Sequence, residues 1–343
     1  MAKITVLVVD DSAIARKALK EILETDRNIE VVGSAPDPFI ARDKILALKP
    51  NVVTLDVEMP RMDGVTFLHK LMKHYPIPVV MVSSLTQKGA ETTLASLEAG
   101  ALEIVAKPVV EKHNFSAIAV ELIDKIKAAA RAKIKPPPSA ADLKKRRKPL
   151  TSMVATTNKI VAIGASTGGT EALKDILMKM PPNSPGILVV QHMPELFTTA
   201  FAKRLNELCE ITVKEAANGD SVTNGKCLIA PGALHMVLRR SGSLYFVEVK
   251  EGPPVNRHRP SVDVLFNSVA RNAGANAVGV ILTGMGADGS QGMLNMKNEG
   301  AKTIAQDEAS SVVFGMPKEA IKLGAADKVL HVDRIAENIL KML

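Results

Sequence analysis

The chain has 343 residues, 46% hydrophobic and 23% charged, with a formal net charge of +8. At about 100–200 residues per domain this length holds two domains, each able to bury a core, and no run of about eighteen apolar residues marks a membrane span. The positive charge does not point to nucleic acid: residues 131–148 carry eight basic side chains against Asp142 alone, which leaves +1 for everything else, and with 3% aromatics and no Trp stacking platforms for bases are scarce.

Met1-Ala2-Lys3 leads straight into a strand-like run, Ile4–Val9, with no signal-peptide pattern. Strand candidates then follow at Ile29–Ser34, Val52–Leu55, Val79–Val82 and Leu102–Val105, each succeeded by a helical pattern, near 13–24, 38–48, 64–74, 87–98 and 115–131. Five βα units predict an open parallel sheet with helices on both faces, a flavodoxin-like (βα)5 domain over residues 1–131. In such sheets the active groups gather at the carboxyl ends of the strands. Here the first strand ends at Asp10-Asp11, the third at Asp56, the fourth at Ser83-Ser84 and the fifth at Lys107-Pro108. Clustered carboxylates suit a hard divalent cation such as Mg²⁺, bound through Asp11 and Asp56. Asp56 can attack a phosphoryl group in line, while Lys107 pairs with its oxygens and the Ser83 hydroxyl bonds one of them.

Residues 1–130 thus resemble the receiver domain of two-component response regulators, on Val8-Val9-Asp10-Asp11-Ser12, Leu55-Asp56-Val57-Glu58-Met59-Pro60 with Asp63-Gly64, Met81-Val82-Ser83-Ser84 and Ala106-Lys107-Pro108. The resemblance implies Asp56 as phosphoacceptor, with Asp10, Asp11 and the Glu58 backbone carbonyl around Mg²⁺. The family's switch position, often aromatic, falls on Ile104, so an aromatic rotamer switch is not expected here.

Residues 132–157 break the alternation with Pro136-Pro137-Pro138 and the basic run, and read as a stiff, solvated linker. From residue 158 a second domain begins. Its strand candidates are Ile160–Ile163, Ile187–Val190, Ile211–Val213, Cys227–Ala230, Met236–Arg239, Leu244–Val249, Ala277–Leu282, Ala301–Ala305 and Val329–Leu330. Helices are expected near 170–180, 196–208, 261–273, 287–299, 317–323 and 333–342. This is a mostly parallel, doubly wound α/β domain with an antiparallel hairpin turning through Ser241-Gly242-Ser243. Cys209 and Cys227 make no disulfide framework and read as buried thiols in a reducing cytoplasm.

The first strand of this domain runs into Gly164-Ala165-Ser166-Thr167-Gly168-Gly169. The glycines permit a sharp strand-to-helix turn that exposes the Ser166 hydroxyl, and the helix start offers free N–H groups to developing negative charge. By itself the motif is equally a phosphate cradle or a plain turn. His192, in Gln191-His192-Met193-Pro194, stands at the next strand end as the candidate base. Asp288, in Thr283-Gly284-Met285-Gly286-Ala287-Asp288-Gly289, can hold its tautomer, with Asp263 and Asp220 as rivals. The Met285 N–H is the candidate oxyanion donor.

With Ala230-Pro231-Gly232 and His258-Arg259-Pro260-Ser261-Val262-Asp263, these motifs resemble the catalytic domain of chemotaxis protein-glutamate methylesterases, the CheB family. The resemblance implies a serine hydrolase without a cofactor for ester hydrolysis. It removes methyl esters from glutamates of chemoreceptor cytoplasmic helices, often deamidates particular glutamines, and is activated when a histidine kinase phosphorylates Asp56. It also implies that the unphosphorylated receiver covers the catalytic site. His258 and Arg259 are either contacts to acidic receptor helices or a solvated loop. The rival readings are a response regulator whose second domain only binds a partner, and a primary amidase.

Overall fold

Ser12, Asp37 and Asp63 each precede a helical pattern, and each caps one. Ser12 Oγ accepts the Ala15 N–H, Asp37 Oδ1 those of Phe39 and Ile40, and Asp63 Oδ1 that of Thr66. A cap side chain of this kind satisfies amides that the first helical turn leaves free. The computed structural model describes residues 3–84, 87–107, 115–134 and 159–343; Pro108 and nearly all of the expected linker lie outside them. The chain forms two compact units, Met1–Pro137 and Pro138–Leu343.

In the first unit the strands are β1 (Ile4–Val9), β2 (Ile29–Ala35), β3 (Val52–Asp56), β4 (Val79–Ser83) and β5 (Glu103–Ala106). They alternate with α1 (Ala13–Glu24), α2 (Pro38–Leu48), α3 (Gly64–His74), α4 (Gln87–Glu98) and α5 (Phe115–Arg131). The sheet is parallel in the order β2-β1-β3-β4-β5. Its strands are almost continuously apolar because helices cover both faces. Val6, Val8, Val52, Val80 and Val82 pack against Leu19, Ile22, Leu122 and Ile126 on one side. Leu7, Val9, Val53, Leu55 and Met81 are buried on the other.

In the second unit, seven strands form a parallel sheet in the order β14-β13-β12-β6-β7-β9-β8. They are β6 (Ile160–Ala165), β7 (Gly186–Gln191), β8 (Thr212–Glu215), β9 (Lys226–Ile229), β12 (Ala277–Ile281), β13 (Lys302–Gln306) and β14 (Lys328–Leu330). The hairpin β10 (His235–Ser241) and β11 (Leu244–Lys250) is antiparallel, as its turn signal predicts. The helices are α6 (Gly169–Leu177), α7 (Phe197–Leu208), α8 (Val262–Ala273), α9 (Ser290–Asn298), α10 (Met316–Lys322) and α11 (Val332–Lys341). The sheet starts at β6 in its middle, with β7 on one side and β12 on the other. The carboxyl ends of β6 and β12 therefore flank a topological switch point, where a crevice opens in folds of this class. The hairpin is tied to α8 through Leu238 N–H to Ser268 Oγ, 2.8 Å, and Asn272 Nδ2 to Leu238 O, 3.1 Å.

Two local differences from the sequence reading have plain causes. The helix expected from 287 starts at Ser290, because Gly289 takes φ +89, a conformation that ends the preceding turn and that side chains rarely adopt. Cys227 is buried, but Cys209, at the end of α7, is only partly so; burial still pushes its thiol up to about 12. Among the described residues no helix is long and apolar enough to cross a membrane.

Candidate active site and phosphoacceptor site

At the carboxyl edge of the first sheet, β1 delivers Asp10, β3 ends on Asp56 and β4 on Ser83, and Lys107 follows β5. The Lys107 ammonium lies 2.9 Å from Asp10 Oδ2 and 2.8 Å from Asp56 Oδ2. Asp56 is 2% exposed. Burial pushes its carboxyl up to about 6, opposed by the Lys107 hydrogen bond and reinforced by the charge of Asp10. Exposed Asp11 completes the group: carboxylate oxygens of Asp10, Asp11 and Asp56 all lie within 4.8 Å of one another. Three carboxylates facing one ammonium leave an excess of negative charge, and hard oxygen donors of this kind fit a small divalent cation. Glu58 is two residues beyond Asp56, its N–H 3.4 Å from Asp56 Oδ1.

Two partners here escape a reading of the sequence. Thr93 on α4 donates to Ser83 Oγ at 3.0 Å. Lys125 on α5 donates to the carbonyl of Ile104 and pairs with Glu103 and Glu121, so a partly buried cation rather than an aromatic ring marks the switch position. No periodic signal distinguishes either residue from its helix neighbours.

In the second unit, Ser166 follows β6 directly. Its N–H donates to Thr283 O, 3.0 Å, across the switch point, and its carbonyl accepts Gly169 N–H and Gln191 Nε2–H, 2.7 and 3.0 Å. These bonds fix the elbow through its backbone and leave the hydroxyl for chemistry. Gly284 makes the close approach possible: a Cβ there would stand 2.7 Å from Ser166 Cβ and 2.4 Å from Met316 Sδ. Gly284→Ala is therefore expected to destabilise the unit by about 1–3 kcal/mol through overpacking, and to lower hydrolysis by displacing Ser166. Thermal denaturation beside an activity assay checks this, and a wild-type melting temperature would show that the loop gives way freely.

His192 leaves the adjacent strand end, its N–H bonded to Ala165 O at 3.1 Å. Its Nε2 is 2.8 Å from Asp288 Oδ2, while its buried Nδ1 has no hydrogen-bond partner among the described residues. With Nε2–H donating to a carboxylate, Nδ1 carries the lone pair that a general base needs. The His258 ring stacks on His192 with centroids 3.7 Å apart and planes 12° from parallel.

Asp288 stands in the turn before α9 but serves a different helix. Its Oδ2 also accepts Val262 N–H, 2.7 Å, and its Oδ1 accepts Asp263 N–H, Ser261 Oγ–H and Asn256 Nδ2–H, 3.2, 2.8 and 2.8 Å. The carboxylate thus occupies the N-terminus of α8, where free amides and the helix dipole favour an anion. Burial, the largest single influence, pushes Asp288 up. The hydrogen bond and charge of His192, with Asn256 and Ser261, outweigh it and hold the carboxyl below the ordinary range.

The rivals go elsewhere. Asp263 accepts Gly292 N–H, 2.6 Å, and its carboxyl is raised, first by burial. Asp220 pairs with Lys214 and accepts Ala217 N–H. Met285 follows Gly284, whose carbonyl is pinned by the N–H groups of Gly315 and Met316 at 3.0 and 2.8 Å. Arg259 donates to Gly252 O. Asn256 and Ser261 are the site residues that sequence reasoning missed, although Ser261 stands inside the His258–Asp263 motif and Asn256 two residues before it.

Comparison with known proteins gives a consistent set of likenesses. The family model described as CheB methylesterase matches residues 161–339, and the one described as response regulator receiver domain matches residues 6–119. Protein-glutamate methylesterase/protein-glutamine glutaminase 2 of Syntrophus aciditrophicus (strain SB) is 59% identical over 344 residues, covering 100% of both chains. A similarly named protein of Geobacter metallireducens is 53% identical over 353 residues, covering 100% of this chain and 99% of its own. The crystal structure of the Thermotoga maritima CheB methylesterase catalytic domain superposes with a TM-score of 0.53 at 41% identity, covering 55% of this chain and 100% of that one.

Proposed function

Because the chain belongs to the CheB methylesterase family and carries a receiver domain, we propose that it demethylates chemoreceptor glutamates through Ser166, His192 and Asp288 under the control of Asp56. The enzyme is a protein-glutamate methylesterase and protein-glutamine glutaminase of the response-regulator class. The observation that supports the residue assignment best is His192, bonded to buried Asp288 at 2.8 Å through one nitrogen and, among the described residues, without a hydrogen-bond partner at the other beside the Ser166 elbow.

In this reading Ser166 Oγ attacks the carbonyl carbon of a glutamate γ-methyl ester as its proton passes to His192 Nδ1. Asp288 stabilises the imidazolium through Nε2–H. The oxyanion takes the Met285 N–H. Collapse breaks the ester C–O bond, His192 returns its proton to the departing methoxide, and methanol leaves. A water, deprotonated by His192, then hydrolyses the acyl-enzyme to free glutamate and Ser166. A glutamine side chain follows the same route with ammonia as the leaving group. None of these steps calls on a metal ion.

The substrate would be the cytoplasmic helices of a methyl-accepting receptor, and the phosphodonor a histidine kinase of the same pathway, all in the cytoplasm. Asp10, Asp11, Asp56 and the Glu58 carbonyl would hold Mg²⁺, which would neutralise negative charge during phosphoryl transfer to Asp56. The chain's own contribution is to hold Asp56 in line and to meet the phosphoryl oxygens with Lys107 and the Ser83 hydroxyl.

The test is methanol release from a methylated receptor fragment, with and without acetyl phosphate. Release is expected in both states, faster with phosphodonor, and chelation of Mg²⁺ should remove the stimulation while sparing the basal rate. A protein that releases no methanol and whose Ser166 resists a phosphonylating reagent would instead be a non-enzymatic regulator. Ammonia without methanol would make it an amidase.

A further inference from the structure

The segment between β11 and α8 carries a turn that the reaction scheme has not used. Val255 and His258 pair with each other in both directions, N–H to O at 3.0 and 2.9 Å, around Asn256 and Arg257. Asn256 has φ 52 and Arg257 φ 70. Two successive left-handed residues make a two-residue turn of the type that favours Asn first and Gly second. Asparagine tolerates the first position because its short polar side chain can bond locally.

Here that side chain bonds at a distance. Asn256 Nδ2 donates to Asp288 Oδ1 at 2.8 Å and to Asp263 Oδ2 at 2.7 Å, so one amide bridges two buried carboxylates. The same turn ends on His258, whose ring lies flat on His192. One four-residue turn therefore touches both the imidazole and the carboxylate behind it.

We propose that Asn256 is a positioning residue of the hydrolase, an amide clamp that fixes the orientation of Asp288 and keeps its charge apart from that of Asp263. This rests on the assignment of Ser166, His192 and Asp288 given above. Asp288 without the clamp keeps four donors, but Oδ1 loses a strong one. Its charge shifts toward the Nε2–H of His192, and the two like-charged carboxylates lose the amide that bridges them. Both effects favour the imidazolium over the neutral base. The ionisable groups in contact with Asp288 or His192 are each other, Asp263 from α8 and His258 from the turn, whose Arg257 is exposed. His235 from β10 is adjacent, its Nδ1 3.3 Å from Ser261 N and its Nε2 3.0 Å from Pro253 O. The carboxyl of Asp263 is raised first by burial and then by the like charge of Asp288 close by.

The experiment is methanol release by the full-length, phosphodonor-activated protein across a pH series. Asn256→Gly keeps the left-handed backbone and deletes only the amide. It is expected to lower kcat about ten- to a hundredfold, the scale of a charge-assisted hydrogen bond, with KM within about twofold. The acid limb of its pH profile should move up by about half a unit or more. Asn256→Asp fits the same backbone and donates only when protonated, so its rate relative to Asn256→Gly should rise as pH falls. If Asn256→Gly does not fold, this ratio is replaced by that of Asn256→Asp to wild type, read the same way.

A wild-type kcat and acid limb in the variant would overturn the proposal, and so would a change confined to KM, which would place the turn against substrate. Ser166→Ala run alongside separates the two levels. Retained turnover there removes the assignment itself, whereas a dead Ser166→Ala beside a normal Asn256→Gly removes only the clamp.

Discussion

Replacing Ser166 by alanine is expected to cut methanol release by about 10⁴-fold or more while leaving the fold intact. The size follows from the roles of the group. The hydroxyl is the bond-forming atom, and what remains without it is water attack helped by the oxyanion donor alone. The intact fold follows from the local structure. The hydrogen bonds that hold Ser166 use its backbone N–H and carbonyl, to Thr283, Gly169 and Gln191, and alanine keeps both. Ser166 is 9% exposed, and removal of its hydroxyl leaves the Cβ against the Gly284 loop in place. A stability change within about 0.5 kcal/mol by denaturant titration is therefore expected. Turnover within tenfold of wild type would show that another group forms the acyl-enzyme.

The second large effect is regulatory. Asp56→Asn is expected to abolish stimulation by acetyl phosphate and Mg²⁺ completely and to leave basal methanol release at its wild-type level. Asparagine matches the buried carboxylate in shape but offers no nucleophilic oxygen, so no phosphoryl–oxygen bond forms. It also removes one of the two carboxylates that Lys107 spans at 2.8 and 2.9 Å. The Lys107 pair with Asp10 survives, which keeps the β5 end anchored. Radiolabelled phosphodonor gives the independent measurement, since wild type should take up label and the variant none. Persistent activation of Asp56→Asn would place the phosphoacceptor elsewhere.

These two outcomes rest on residues that a parallel α/β pattern already singles out. Short β-branched runs alternate with amphipathic helices, and in a parallel sheet every strand enters its carboxyl edge in the same sense. Asp10, Asp56, Ser83 and Lys107 therefore point to one edge of the first sheet, and Ser166 and His192 to one edge of the second, before any coordinates exist. The caps at Ser12, Asp37 and Asp63 each act within one helical turn and so depend on no long-range contact.

What the pattern leaves open is which strands are neighbours. β12 lies beside β6, and this pairing brings Thr283 to Ser166 and Asp288 to His192, 96 residues apart in the chain. Asp288 reads locally as the start of α9, yet the structure sets it on the N-terminus of α8, where four groups besides His192 bond it. The Asn256 clamp belongs to the same class, since its amide meets carboxylates from two other segments. The chain by itself determined the elements, the edge on which chemistry gathers, and the residue types that carry it, because these depend on periodicity and on contacts within a turn or two. Only the tertiary structure decided the strand order, the tautomer-holding face of His192 and the donors around Asp288. Those depend on packing between segments distant in sequence, which no local spacing encodes.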